Sequence, residues 1–218
     1  MRLNFRTTIV SVALLTACLS NTGAHIDANP SFATQVHSFD PGANAGFGAT
    51  SMPEIVLGAP DGKGLYSGSM DVLSLGAGGE IILDFGDLRV VNGPGPDLVV
   101  FENAFYTAGS PEYPFSEFAE ISVSLDGQEW FTFPCTPDAK DPQTWEGCAG
   151  WTPVYAAPDT GETITNPLDL GGDSFDLEEL GVERIRFVRI RDLSTAGISP
   201  SAGFDLDAVA AVYTTASK

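Results

Sequence analysis

Along "EIILDFGD", Ile81, Leu83 and Phe85 fall on one side of an extended chain, and Glu80, Ile82 and Asp84 on the other. A period of two is that of a strand with one covered face. "AEISVSLDGQEWFTFP" repeats it, with Ala119, Ile121, Val123 and Leu125 on one parity and Glu120, Ser122 and Ser124 on the other. Asp126-Gly127 then marks a hairpin, because both residues tolerate positive φ. "DLVVFEN" is a nearly continuous apolar run, as for a strand covered on both faces. "RIRFVRIRD" and "FDLDAVAAVY" read as two further strands, and only "DSFDLEELG" looks helical, for barely two turns before Gly181. Glycine and proline recur every few residues between these runs. The pattern predicts an all-β fold, an antiparallel β-sandwich or jelly roll with one short helix. It shows no internal repeat and no second domain.

The first residues follow a different logic. Arg2 and Arg6 precede the short apolar run "TTIVSVALLTA", too short to span a bilayer, which reads as a secretory signal over residues 1–17. The small residues of "LTAC" before Cys18 resemble a bacterial lipobox, in which the chain is cut before the cysteine and its thiol carries diacylglycerol. The alternative is an ordinary signal cleaved elsewhere. With Leu19 rather than Asp after the cysteine, the lipobox reading places the protein at the outer membrane or cell surface. Residues 18–30 are then a lipid-anchored tether and 31–218 the β-sandwich domain.

Charge narrows the partners. Removing residues 1–17 takes away two arginines and no acids, so 8 basic and 29 acidic residues remain and the formal charge moves from −19 to −21. Such a surface repels nucleic acid and anionic head groups. It suits an exported domain, or one that collects cations. Of the three cysteines, Cys18 is the anchor, and Cys135 and Cys148 are left to close a polar loop as a disulfide in an oxidising compartment.

Asp205 and Asp207 open the apolar run "GFDLDAVAAV". On a strand they share a face, about 7 Å apart, with Phe204, Leu206, Ala208 and Ala210 on the other. Like charges this close need a counter-charge or solvent. Asp71, Asp97, Glu102, Asn103, Asp173 and Asp176 could approach from loops beside strands, and Glu117 shares the parity of Ala119 and Ile121 and would need a partner at the end of the buried face. Oxygen ligands without histidine or free thiol indicate a hard cation, and calcium suits an exported domain. The candidate metal set is Asp205, Asp207, Asp97 and Glu102. No contiguous calcium-binding loop is present. Two rival accounts stand beside it: plain exposure, and pairing with Arg184, Arg186, Arg189 and Arg191, above all Arg189 or Arg191 with the aspartate pair.

The aromatic residues Trp130, Trp145, Trp151, Tyr106, Tyr113 and Tyr155 gather around the hairpin and the cysteine loop. A flat ring can stack on a sugar or anchor a protein contact. Trp130 reads as core. Trp145 and Trp151 are candidate ligand contacts, with packing of the loop on the sandwich as the alternative for Trp145.

"VSLDGQEW" followed by "RFVRIRD" resembles the discoidin-like, galactose-binding-like jelly rolls, in which an Asp-Gly hairpin and a tryptophan precede a late aromatic-Val-Arg-Ile strand. The chain departs from them in closing its disulfide over a short internal loop rather than between the chain ends. "VLGAPDGKG", "GSMDVLSLGAGGEIILDF", "NGPGPDLVVFENAF", "FPC", "CAG", "GGDSFDLEELG" and "GFDLDAVAAV" together resemble an uncharacterised group of bacterial cell-surface proteins, which brings no assigned activity. Enzyme classes find little support. The Glu-x-Asp-x-x-Glu pattern of jelly-roll glycosidases is missing, both histidines precede the first clear strand, and "GAPDGKG" lacks the ending of a phosphate loop. The expectation is a non-enzymatic, lipid-anchored carbohydrate-binding or adhesion module with calcium as cofactor. A scaffold component that contacts an envelope protein without binding glycan is the alternative, and a glycosidase the third reading.

Overall fold

The computed structural model describes residues 29–111, 114–155 and 166–217. The segment read as a signal, Cys18 of the lipobox reading, and Tyr113 lie outside these residues. Two antiparallel sheets dominate. The first runs β1 (Ser31–Phe32), β15 (Asp205–Ala211), β6 (Leu98–Glu102) and β12 (Asp173–Phe175), with β3 (Leu73–Ser74) also paired to β15. The second runs β10 (Phe131–Thr132), β9 (Ala119–Ser124), β14 (Phe187–Asp192), β4 (Glu80–Asp84) and β2 (Gln35–Asp40), with β11 (Cys148–Ala149) on β9. β5 (Leu88–Val91) pairs with both β13 (Arg184–Ile185) and β16 (Thr214–Ala216), and β7 (Phe105–Tyr106) pairs with β8 (Pro114–Phe115). The protein is an all-β, antiparallel sandwich, as the alternation predicts.

The core follows from which faces are apolar. Ile81, Leu83, Ile121, Val123, Val188 and Ile190 of the second sheet meet Leu98, Val100, Leu206 and Val209 of the first in one buried cluster. A fully buried aliphatic side chain of this size contributes about 1.5–3 kcal/mol. The continuous apolar run of β6 has its expected second cover. Val99 and Phe101 point away from the main core into a smaller cluster with Ala208, Ala210, Val154 and Leu170. The chain around Val154 and the 3-10 turn Pro167–Leu170 supply that layer.

Several local expectations change. The segment read as a short helix is β12 followed by a single 3-10 turn, Leu177–Leu180, which the Asp176 carboxylate caps by accepting from Glu178 N–H. "RIRFVRIRD" is two strands that break at Arg186 and enter different sheets. The hairpin between β9 and β10 exists, but it is a longer loop than a two-residue turn, because Phe131 pairs with Val123. Asp126 there accepts from Gln128 and Glu129 N–H, and Leu125 is exposed, not inward. In β15 the face reverses. A bulge between Leu206 and Ala208 leaves Phe204 and Leu206 in the main core but sends Ala208 and Ala210 to the outer cluster. Beyond β15 the chain continues into β16.

Cys135 and Cys148 form the expected disulfide, with Cα atoms 4.9 Å apart. By loop-closure entropy a ring of this size stabilises by about 3 kcal/mol.

Candidate functional site

Two groupings of side chains lie at the sheet ends and loops. The first is an open cleft of about 640 Å³. One wall comes from Tyr106, Thr107, Pro111 and Pro114 around the β7–β8 ribbon, the approach to β9 adds Ser116 and Phe118, and the disulfide loop and its exit add Lys140, Pro142, Trp145 and Trp151. The loop holds its shape locally. Asp141 caps the turn Pro142–Thr144 by accepting from Gln143 N–H at 3.1 Å, and the Thr144 hydroxyl donates to Asp141 O at 2.8 Å. The Trp145 indole N–H donates to Asp138 O at 2.8 Å, and that of Trp151 to Cys148 O at 3.1 Å. With both donors committed, each indole has only its ring to offer. Trp145 packs 5.2 Å from Phe118 and 6.2 Å from Trp151. Trp145 is only 6% exposed and Trp151 is half-buried, so Trp151 offers more surface to a ligand. Burial pushes the Tyr106 phenol above its usual range.

Trp130 is not core. It is half-buried beside β10, with the Arg189 guanidinium 4.4 Å above its ring. Tyr155 is exposed.

The second grouping is a set of carboxylates where β6 ends and β15 begins. Glu102 is fully buried. Its Oε1 meets Asp205 N–H at a long 3.4 Å, and its Oε2 has no hydrogen-bond partner. Burial, then Asp205, then Glu117 hold its carboxyl well above the usual range. Glu117, half-buried where the chain enters β9, is pushed up to about 8 by burial, then by Asp205 and Asp192. Asp205, raised chiefly by burial, accepts from the Ser74 hydroxyl across the β3–β15 pair. Glu102, Glu117 and Asp205 therefore repel one another pairwise.

The other predicted acids are placed differently. Asp207 lies nearby, buried by a loop whose Asp61 N–H donates to both of its oxygens, at 3.0 and 3.1 Å. Burial first, against that hydrogen bonding, takes its carboxyl to about 7. Asp97 does not join Glu102. It precedes β6 at the other end, about 16 Å away along the strand. There it accepts from Gly93 N–H at 2.7 Å and Leu177 N–H at 2.8 Å, and burial still raises it to about 6. Asp173 accepts from Gly150 and Trp151 N–H and is also raised by burial to about 6. Asp176 is a cap, and Asp71 is exposed. Asn103 accepts from Ser69 N–H beside the cluster.

The arginine account meets different partners. Arg186 pairs with Asp84 at 3.4 Å, Arg189 with Glu80 at 3.8 Å and Arg191 with Glu120 at 2.9 Å, while Arg184 is exposed on β13. Arg189 and Arg191 are thus engaged on the outer face of the second sheet, away from Asp205 and Asp207.

Sequence reasoning missed Asp192. This buried residue accepts from Gly78 N–H, Ser194 N–H and Phe204 N–H, and ties the end of β14 to the start of β15. The signal was Gly203, whose φ is +74° and whose added Cβ would meet the Asp192 carboxylate at 2.8 Å. The cleft walls Phe118 and Pro142 were also missed, because they are distant in sequence and meet only in the fold.

No protein-family model matches the chain, and no curated protein is significantly similar to it in sequence.

Proposed function

We propose that this chain is an exported, lipid-anchored cell-surface protein whose jelly-roll domain, of the galactose-binding-like kind, binds carbohydrate in the cleft faced by Trp151, Trp145 and Tyr106. The single observation that carries the reading is the composition of that cleft. Aromatic rings from the β7–β8 ribbon and the disulfide loop line an open space of about 640 Å³. Among the described residues its lining contains no carboxylate and one formal charge, Lys140. Rings with their polar edges already bonded suit stacking on the apolar face of a sugar. A lining without paired carboxyl groups favours binding over glycoside hydrolysis. The lipid anchor at Cys18 would hold the module at the outer membrane or cell surface.

A second reading, an envelope scaffold that contacts another protein without glycan, draws on a different region. Met70 and Ile198 are 74% and 84% exposed. Met70 shares a groove with Ser201, whose N–H closes the turn onto Ile198. A glycan array with the purified domain separates the two. Saturable binding that Trp151→Ala weakens by tenfold or more, roughly one good stacking contact, supports the cleft. No glycan binding, with pull-down of an envelope protein lost on Met70→Asp, supports the scaffold. Cys18→Ala should release the protein from the membrane fraction, and a mature chain starting beyond Cys18 would remove the anchor from the reading.

A further inference from the structure

We propose that Glu102, Glu117 and Asp205 are the carboxylate ligands of a site for one hard divalent cation, calcium in an exported setting, with water filling the remaining positions.

The burial of Glu102 is unbalanced. A carboxylate removed from water needs hydrogen bonds or opposite charge. Asp97 and Asp192 show how this chain normally supplies them, through backbone N–H groups aimed at both oxygens. Glu102 has no such provision. It is fully buried at the end of β6, with Oε2 unpartnered and Oε1 at 3.4 Å from its one donor.

Its surroundings add to the deficit. The charges that act most strongly on Glu102 are Asp205, Glu117 and Asp173, and those acting on Glu117 are Asp205 and Asp192, all negative. Arg186, Arg189 and Arg191 are paired with Asp84, Glu80 and Glu120. Lys63 pairs with Asp61, acts on Asp207 and lines a small cavity with Glu102, Asn103 and Asp207, but it is not among the charges that act most strongly on Glu102 or Glu117.

The donor chemistry selects the ion. Every candidate ligand is an oxygen. His37 packs at a tilt against Phe187, and both described cysteines are in the disulfide, so among the described residues the cluster holds no nitrogen or sulfur ligand. Oxygen-only, flexible coordination with several waters is the habit of calcium rather than zinc. Among the described residues no three acidic, histidine or cysteine groups yet form a ready cage. An arriving ion must therefore draw the three carboxylates inward, and Glu117, half-buried at the rim, is the one with room to move. Asp207 stays outside the set, because Asp61 N–H holds both of its oxygens.

The test is a calcium chloride titration of the chelator-treated, purified chain by calorimetry, with elemental analysis of the dialysed protein. No glycan is needed, so the result is independent of the cleft. The expected result is saturable binding of one ion per chain with a raised melting temperature. Glu102→Gln and Glu117→Gln should each weaken it on the order of 10- to 100-fold, and Asp207→Asn should leave it within about threefold. Glutamine at 102 also mimics a protonated carboxyl, so that variant should fold. If it does not, Glu117→Gln carries the test. No binding by the folded wild type overturns the proposal, since the carboxyls are then held neutral by protons. Binding that survives both glutamine variants, or that Asp207→Asn abolishes while they retain it, also overturns it.

Discussion

The two sheets of the sandwich handle charge in opposite ways. On the outer face of the second sheet, carboxylates and arginines alternate along neighbouring strands. Arg189 stands opposite Ser122 and Ile82 and reaches Glu80, while Arg191 stands between Glu120 and Glu80 and pairs with Glu120. These charges face water, and Glu80 and Glu120 each have an arginine beside them. The first sheet is apolar on both faces of β6 and β15, and its carboxylates are swept to the strand ends. There they are buried and held by backbone N–H groups, or at Asp205 by the Ser74 hydroxyl, whereas Glu102 is held by very little and is faced by Glu117 from the approach to β9. A strand covered on one face can leave its charges in solvent. One covered on both has nowhere to leave them except its ends, so the doubly covered sheet is where unbalanced charge accumulates.

The largest test of that contrast concerns the covers themselves. Phe101 and Ile82 both point away from the main core, but Phe101 is buried in the outer cluster and Ile82 is partly exposed. Phe101→Ala should cost about 3–5 kcal/mol, as for a buried aromatic, and Ile82→Ala about 1 kcal/mol or less. Urea denaturation of both variants reads the difference. Similar costs would mean that the layer from Val154 and Pro167–Leu170 is loosely seated and that the first sheet is not truly double-covered.

The next test uses protons. Asp97 and Asp173 are raised from 3.8 to about 6, and Glu117 from 4.5 to about 8, in each case chiefly by burial. A carboxyl whose folded pKa lies above its unfolded value binds more protons folded than unfolded in between. Stability then falls as pH rises through that window. In chelator, the protein should therefore be most stable near pH 4 and lose stability progressively as the pH rises to about 8, against the usual trend. Asp97→Asn should remove the portion of the slope between about pH 4 and 6, and Glu117→Gln the portion up to about 8. Thermal melts across this range check it. A profile that rises from pH 5 to 8 in chelator would mean that hydrogen bonds to these groups outweigh their burial.

What the chain disclosed of this arrangement depended on range. The alternation of Ile81, Leu83 and Phe85, and the apolar run at Leu98–Glu102, were legible because strand period and double cover are written in consecutive residues. The cysteine pairing was legible because only two candidates remained after Cys18. The face reversal at Leu206–Ala208 was not, because a bulge is set by register against β6 and β3. The same holds for the site. The parity of Glu117 marked it as needing a partner, which was a local signal. Reading "DLVVFEN" as a strand already put Asp97 and Glu102 at its opposite ends, a strand length apart, which weighs against their sharing one ion. Trp130 was misplaced in the core because its neighbour across the sheet, Arg189, is about sixty residues away and no local pattern joins them.

The smallest effect belongs to the charge ladder, and the contrast sharpens there. Arg191 and Glu120 are 2.9 Å apart, with Arg191 about half exposed. An exposed pair of this kind gains little, because water screens it and two long side chains lose freedom to hold it. A double-mutant cycle of Arg191→Ala and Glu120→Ala should give a coupling of about 0.2–1 kcal/mol, reduced further by added salt. Arg189 should cost more than Arg191 when changed to alanine. Besides Glu80, it loses the Trp130 ring at 4.4 Å, a contact worth about 0.5–1 kcal/mol near the surface. If the Arg191 coupling instead exceeded about 2 kcal/mol and ignored salt, the ladder would be an electrostatically dry surface. The second sheet would then have a cover of its own, and the difference between the two sheets would disappear.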